Sequence, residues 1–199
     1  RYRKKILKSR PLRARDLERY LLLIDDLPGV AAKSVLTPSE DKPSATTMTL
    51  ILSDKAFEGH VGTDNRGSKF NGPYEFSGGL TANSFLGDHT RTGLQGVITS
   101  QTEELLFLNA FYDFPVNQEG TRLFFSGSVS ESEPGSSLKK FEINGDSSAI
   151  TLRLTHPFFR SRGKNLTGYL GFTGRNSTTK ILGSLDSEDR LRVMNIGVS

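Results

Sequence analysis

Cysteine is absent from these 199 residues, which removes disulfide frameworks, thiolate metal sites and cysteine nucleophiles. Histidine is scarce, and His60, His89 and His156 stand far apart, without the His-x-x-x-His or carboxylate-bracketed spacing of a metal site. Long apolar runs are missing too. The longest, Tyr20 to Ile24, is far short of the roughly 20 residues a membrane helix needs. The glycines at 59, 62, 67, 72, 78 and 79 do not follow the strand, glycine turn, helix order of a phosphate-binding loop. The chain opens on Arg1, with no apolar signal core behind its basic start, and is expected to be a piece of a longer protein. What is abundant is glycine and phenylalanine, 20 and 13 residues within an apolar share of only 35%. That mixture favours β structure with many turns.

The formal charge of +4 is unevenly placed. Residues 1–20 hold nine Lys and Arg against Asp16 and Glu18, a local +7 that leaves the remainder at −3. A nucleic-acid reader carries basic groups across a whole face, interleaved with aromatic or groove-reading side chains. One terminal run is the ordinary pattern of a solvated helix face, so no nucleic-acid partner is expected. The acidic pairs Asp25-Asp26 and Glu103-Glu104 fall at a helix end and in a loop, where solvated charge explains them better than a general acid/base pair. No catalytic residue, metal or cofactor is implied, and the protein is not expected to be an enzyme.

Residues 15–26 place Leu17, Tyr20, Leu21 and Ile24 at i, i+3, i+4 and i+7, with Glu18, Arg19 and Asp25 on the other side. This spacing predicts one amphipathic helix, stopped near Leu27 by Pro28-Gly29. Two short extended stretches follow, Val30 to Leu36 and Thr46 to Ser53, the second with Met48, Leu50 and Leu52 on one face.

After Lys55 the texture changes to eight candidate strands of about ten residues, separated by polar or glycine-rich turns. In the second, Tyr74, Phe76, Leu80 and Ala82 oppose Glu75, Ser77 and Thr81; in the sixth, Ile150, Leu152 and Leu154 oppose Thr151, Arg153 and Thr155; in the seventh, Leu166, Leu170 and Phe172 oppose Thr167, Tyr169 and Thr173. The fourth (104–113) and eighth (190–198) alternate poorly. A soluble β-sandwich and a membrane barrel both alternate in this way, but outer-membrane barrels keep short turns on one side and longer loops on the other. With the first strand running outward, 83–89, 113–120 and 156–164 become periplasmic turns. Residues 130–148 become an outer loop, and the first two outer loops are short. Tyr74, Phe76, Ile150, Leu152, Leu170 and Phe172 then face lipid, and Glu75, Arg153 and Tyr169 the lumen.

Several segments resemble a known family. Pro11-Leu12, Asp16-Leu17-Glu18-Arg19, Leu27-Pro28-Gly29-Val30 and Leu36-x-Pro38-Ser39 are similar to the last POTRA domain of haemolysin secretion/activation proteins, the transporters of two-partner secretion. Asp64-Asn65-Arg66-Gly67-Ser68 with Gly72 resembles the passage into the first barrel hairpin. Asn83-Ser84-Phe85-Leu86-Gly87-Asp88 resembles the first periplasmic turn, contracted from a Gly-x-Gly-Asp ending, and the run from His156 to Arg162 resembles the third. The Arg-Gly-aromatic motif of the family's luminal loop is not in this chain and is expected after Ser199.

The resemblance implies a mixed fold: a partial α+β POTRA domain over residues 1–55, then transmembrane antiparallel strands over 56–199, about eight of roughly sixteen in a closed barrel. It places the protein in the outer membrane of a Gram-negative-type bacterium, with the POTRA part in the periplasm. Outer-membrane lipid and a secreted exoprotein client are the expected partners. The client, an unfolded polypeptide, is captured by strand addition to an exposed sheet edge, which maps to Val30, Ala32, Ser34 and Leu36. A barrel-assembly insertase of the same superfamily, and a soluble or surface-anchored β-sandwich binding protein, are the alternatives.

Overall fold

The computed structural model describes residues 2–9, 11–40 and 45–199. Two helices open the chain, α1 (Tyr2–Lys8) and α2 (Ala14–Asp25). α2 is the helix read from the apolar spacing, and it buries Leu23 and Ile24. The Asp26 N–H still donates to the Leu22 carbonyl, after which Pro28 has no N–H to give and Gly29 turns to φ +69°. A Cβ at Gly29 would run into the Lys55 carbonyl and the Asn83 side chain, so glycine is required there for space as well as for backbone freedom. The strands β1 (Val30–Pro38) and β2 (Thr46–Asp54) form a two-stranded antiparallel hairpin.

The remaining eight strands are β3 (Phe57–Asp64), β4 (Glu75–Asn83), β5 (Arg91–Thr99), β6 (Leu106–Pro115), β7 (Arg122–Ser132), β8 (Asn144–Arg160), β9 (Asn165–Ile181) and β10 (Ser184–Val198). They make one sheet in chain order, every neighbour antiparallel, with β3 and β10 at its edges. Consecutive hairpins in a single sheet are the barrel plan; a sandwich would show two packed sheets.

The strand count agrees with the sequence reading, but some bounds do not. Residues 156–160, read as part of a turn, continue β8, with a register shift between Pro157 and Phe159 that accommodates a proline inside a strand. At its other end β8 starts at Asn144, so the connection expected over 130–148 shrinks to 133–143. The hydrophobic period fails there because Ser147 and Ser177, on one side, and Ser148 and Asn176, on the other, are all polar. Backbone pairing continues without any apolar face to announce it. The loop 65–74 is longer than expected. The last hairpin turns on Leu182 and Gly183 alone, both at positive φ (51° and 75°), the geometry that matches strand twist in two-residue loops.

Apolar side chains are distributed inside out. Among the described residues the buried hydrophobic ones are Ile6, Leu23, Ile24 and Leu27, all in the helical unit, whereas the buried polar residues Asn83, Thr90, Thr99, Asp113 and Thr121 all belong to the eight strands and their turns. One row in register runs Tyr112, Phe125, Leu152, Phe172, Met194 across five strands. A second runs Leu123, Leu154, Leu170, Ile196. These rows are open to the surroundings, Met194 at 73% and Ile196 at 83% exposure. Ser147, Ala149, Thr151 and Thr155, on the opposite side of β8, are half-buried. The crowded side is therefore polar and the open side apolar, the reverse of a water-soluble sheet and the arrangement of a barrel wall seen from lipid. Phe76, Ile150, Leu152, Leu170 and Phe172 share the apolar side, and Glu75, Arg153 and Tyr169 the polar one. Tyr74, 56% exposed, lies one residue before β4. The register also settles the facing of β10, where Met194, Ile196 and Val198 continue the apolar rows from Phe172, Leu170 and Gly168.

Candidate functional site

The hairpin β1–β2 offers a strand edge. At its two ends the Lys55 N–H donates to the Gly29 carbonyl and the Ser39 N–H to the Ala45 carbonyl, so the odd-numbered residues of β1 bond across to β2. In an antiparallel pair the alternate residues then aim N–H and C=O away from the partner. Those residues are Val30, Ala32, Ser34, Leu36 and Pro38, four of which are the residues assigned to client binding by resemblance. Their surroundings differ. The Val30 N–H donates to the Leu27 carbonyl at 3.1 Å, and the Ala32 N–H donates to Asp25 Oδ1 at 2.9 Å. Among the described residues no group bonds to the N–H of Ser34 or Leu36, and the Leu36 side chain is 53% exposed. Pro38 carries no N–H at all.

The unit bearing this edge is fastened to one rim of the large sheet, and α2 does most of the fastening. Arg19 aims its guanidinium at the carbonyls of Glu119, Pro157 and Phe158, at 3.2 to 3.4 Å. Arg160 makes a two-pronged contact with Asp26, Nε to Oδ2 and Nη2 to Oδ1, both 2.7 Å, the fork geometry that gives an arginine–carboxylate pair its strength. Glu18 accepts the Arg162 N–H at 2.8 Å. Glu119 accepts from Lys5 Nζ at 2.7 Å and from the Tyr20 hydroxyl at 3.4 Å. The Lys5 hydrogen bond to Glu119 raises its ammonium pKa above the ordinary 10.5. Partial burial, with the Glu119 charge nearby, raises the Tyr20 phenol above 10.0. Beneath these polar ties Leu23 is 3% exposed, and a Cβ at Gly120 would meet both Leu23 and Pro157 at 2.7 Å. The contact thus rests on the turn 116–121 and on the end of β8 with the turn 161–164 that follows it.

Above that rim the polar side of the sheet is ordered by its own contacts. Asp113, 7% exposed, accepts from Arg122 Nε at 3.0 Å and Arg91 Nη2 at 3.3 Å, and Arg122 also donates to the His89 carbonyl. Rings lie over glycines of the neighbouring strand: a Cβ at Gly93 would come within 2.5 Å of the Phe111 ring, and one at Gly197 within 2.6 Å of Tyr169. His156 Nδ1 is 2.7 Å from Thr121 Oγ1, a structural role near the rim. Asp25 and Asp26, read from the sequence as solvated charge, each have a partner, which no local pattern signals because those partners come from β1 and from a residue 134 positions away.

Residues 52–199 match the family described as "Haemolysin secretion/activation protein ShlB/FhaC/HecB". The "Heme/hemopexin transporter protein HuxB" of Haemophilus influenzae is 26% identical over 167 residues, 83% of this chain and 29% of that protein. CdiB from Escherichia coli superposes with a TM-score of 0.74 at 21% identity, covering 89% of this chain and 34% of its own. CdiB from Acinetobacter baumannii gives 0.60 at 16% identity, covering 90% and 34%. The chain spans under a third of the length of the curated relatives it matches.

Proposed function

The chain belongs to the haemolysin secretion/activation protein family of outer-membrane two-partner secretion transporters, and from that premise we propose that the intact protein captures an unfolded partner polypeptide in the periplasm and passes it outward through the barrel. Residues 1–55 form the end of a POTRA domain and 56–199 the first part of the barrel. The observation that carries this reading is the mounting of a free strand edge on one rim of an inside-out sheet. An extended polypeptide adds to such an edge through main-chain hydrogen bonds, with little demand on its sequence. Ser34 and Leu36 supply the open donors, and the docked helix α2 holds the edge at the mouth of the barrel. The polar side then presents a wall of serine, threonine and arginine to the passing chain, and the apolar rows face outer-membrane lipid. Exposed Phe85, Leu86, Phe158 and Phe159, near the same rim, suit the interfacial girdle of such barrels.

The test is a strain lacking the intact protein, complemented by copies carrying a photo-crosslinking residue at Leu36 or, as a control, at Lys180. Loss of the protein is expected to leave one exoprotein in the periplasm, and light is expected to link that polypeptide to position 36 and not to position 180. Normal export with misassembled outer-membrane barrels would replace this reading with the insertase one.

A further inference from the structure

Both ends of the open edge on β1 are blocked by side chains of this chain. At one end stand Asp25, the last residue of α2, and Asp26, its C-cap, where no basic residue shares the final turn and a negative charge opposes the helix dipole. Their positions follow from what they hold. Asp26 grips Arg160 at the rim, and Asp25 occupies the outward N–H of Ala32 at 2.9 Å. At the other end Pro38 stands at an outward position, since its partner Thr46 belongs to the same alternate set as Ser34 and Leu50, and there its missing N–H ends the run of donors. Charges and prolines are how natural proteins blunt sheet edges against indiscriminate pairing.

We propose that Asp25 and Pro38 are the two stops of the client-accepting edge, so that an added strand takes its register from Ser34 and Leu36 and gains the Ala32 donor only by displacing the Asp25 carboxylate. This rests on the reading that β1 takes the client. Two open donors make a weak, short-lived contact, which suits a chain that must let go of its client for export. Asp25 is accordingly a positioning residue: it sets where the client strand begins and how tightly it is held.

The experiment uses the intact protein in detergent and, as probe, a synthetic peptide of alternating Val and Thr with lysines at its ends, about ten residues long, enough to span the whole of β1. Affinity and amide hydrogen exchange are measured together for the wild type, Asp25→Ala, Pro38→Ala and Asp26→Ala. In the wild type the peptide is expected to protect the Ser34 and Leu36 amides. In Asp25→Ala the freed Ala32 amide exchanges faster without peptide, becomes protected with it, and binding tightens about 3- to 10-fold, the change that corresponds to one net hydrogen bond. Pro38→Ala gains a similar factor with new protection at residue 38. Asp26→Ala, which loosens the rim contact and leaves Ala32 bonded, gains nothing. Unchanged affinity in both Asp25→Ala and Pro38→Ala, with Ser34 and Leu36 still protected, overturns the stops alone. An absence of protection at Ser34 and Leu36 in every variant overturns the edge reading beneath it.

Discussion

Replacing Leu152 with Arg and, separately, Thr151 with Arg puts the same charge on adjacent residues of β8 that point to opposite sides. Leu152 is the centre of the apolar run Ile150, Leu152, Leu154, between Phe125 on β7 and Phe172 on β9. An arginine on the lipid side costs about 2 to 4 kcal/mol near the midplane. Losing two apolar cross-strand pairs adds about 0.2 to 1 kcal/mol each. The sum, about 2 to 6 kcal/mol, is a large part of the roughly 5 to 15 kcal/mol that holds a typical domain. Thr151 is half-buried on the polar side, where its hydroxyl lies 3.3 Å from that of Thr173. Loss of that bond costs about 0.5 to 1.5 kcal/mol, and the new guanidinium reaches lumen water. Refolding of the intact protein into lipid vesicles, followed by urea titration and heat-modifiable migration on gels, separates the two. Leu152→Arg should lower the folded fraction sharply and Thr151→Arg only slightly. Equal losses would refute the facing, because a one-residue slip in register exchanges the two sides of the strand.

Gly93→Ala should impair assembly, since its Cβ would press on the Phe111 ring at 2.5 Å and on the Leu80 carbonyl at 2.9 Å; Phe111→Ala in the same protein should restore part of the loss, as read by the fraction resistant to unfolding in sample buffer. The helix-to-rim contact should loosen in alkali. Lys5 and Tyr20 both have pKa values raised in the folded protein, so their contribution is complete below the ordinary values near 10 and is lost as pH rises through the folded ones. Proteolysis of the helical unit should therefore accelerate above about pH 10 and stay flat between pH 6 and 9; acceleration near neutrality would point to other groups. Residues 1–199 alone should give no stable single-channel conductance in a planar bilayer. β3 and β10 each leave one side without a strand, and every unpaired backbone group in hydrocarbon costs several kcal/mol. Steady conductance from this chain would show that the sheet closes by another route.

Local pattern in the sequence sufficed to determine helix α2, its stop at Pro28-Gly29, the two extended stretches after it, the number of strands beyond Lys55 and which residues of β8 and β9 share a side, because an apolar side chain every second or every three to four residues reports a common face. The same pattern was silent for β10, whose Leu191 and Val193 sit on the polar side, and for the ends of β8 and β9, where the paired residues are polar on both faces. Tertiary structure alone decided that the polar side is the crowded one, that Phe111 covers Gly93, and that Arg19 and Arg160 fasten the helical unit to the 116–121 turn and the end of β8. It also decided how much of the β1 edge is open: among the described residues nothing bonds to the Ser34 and Leu36 donors, while the Val30 and Ala32 donors are taken by Leu27 and Asp25. Such contacts join residues tens to more than a hundred positions apart, or depend on which way a strand's hydrogen bonds point. Neither leaves a period in the sequence.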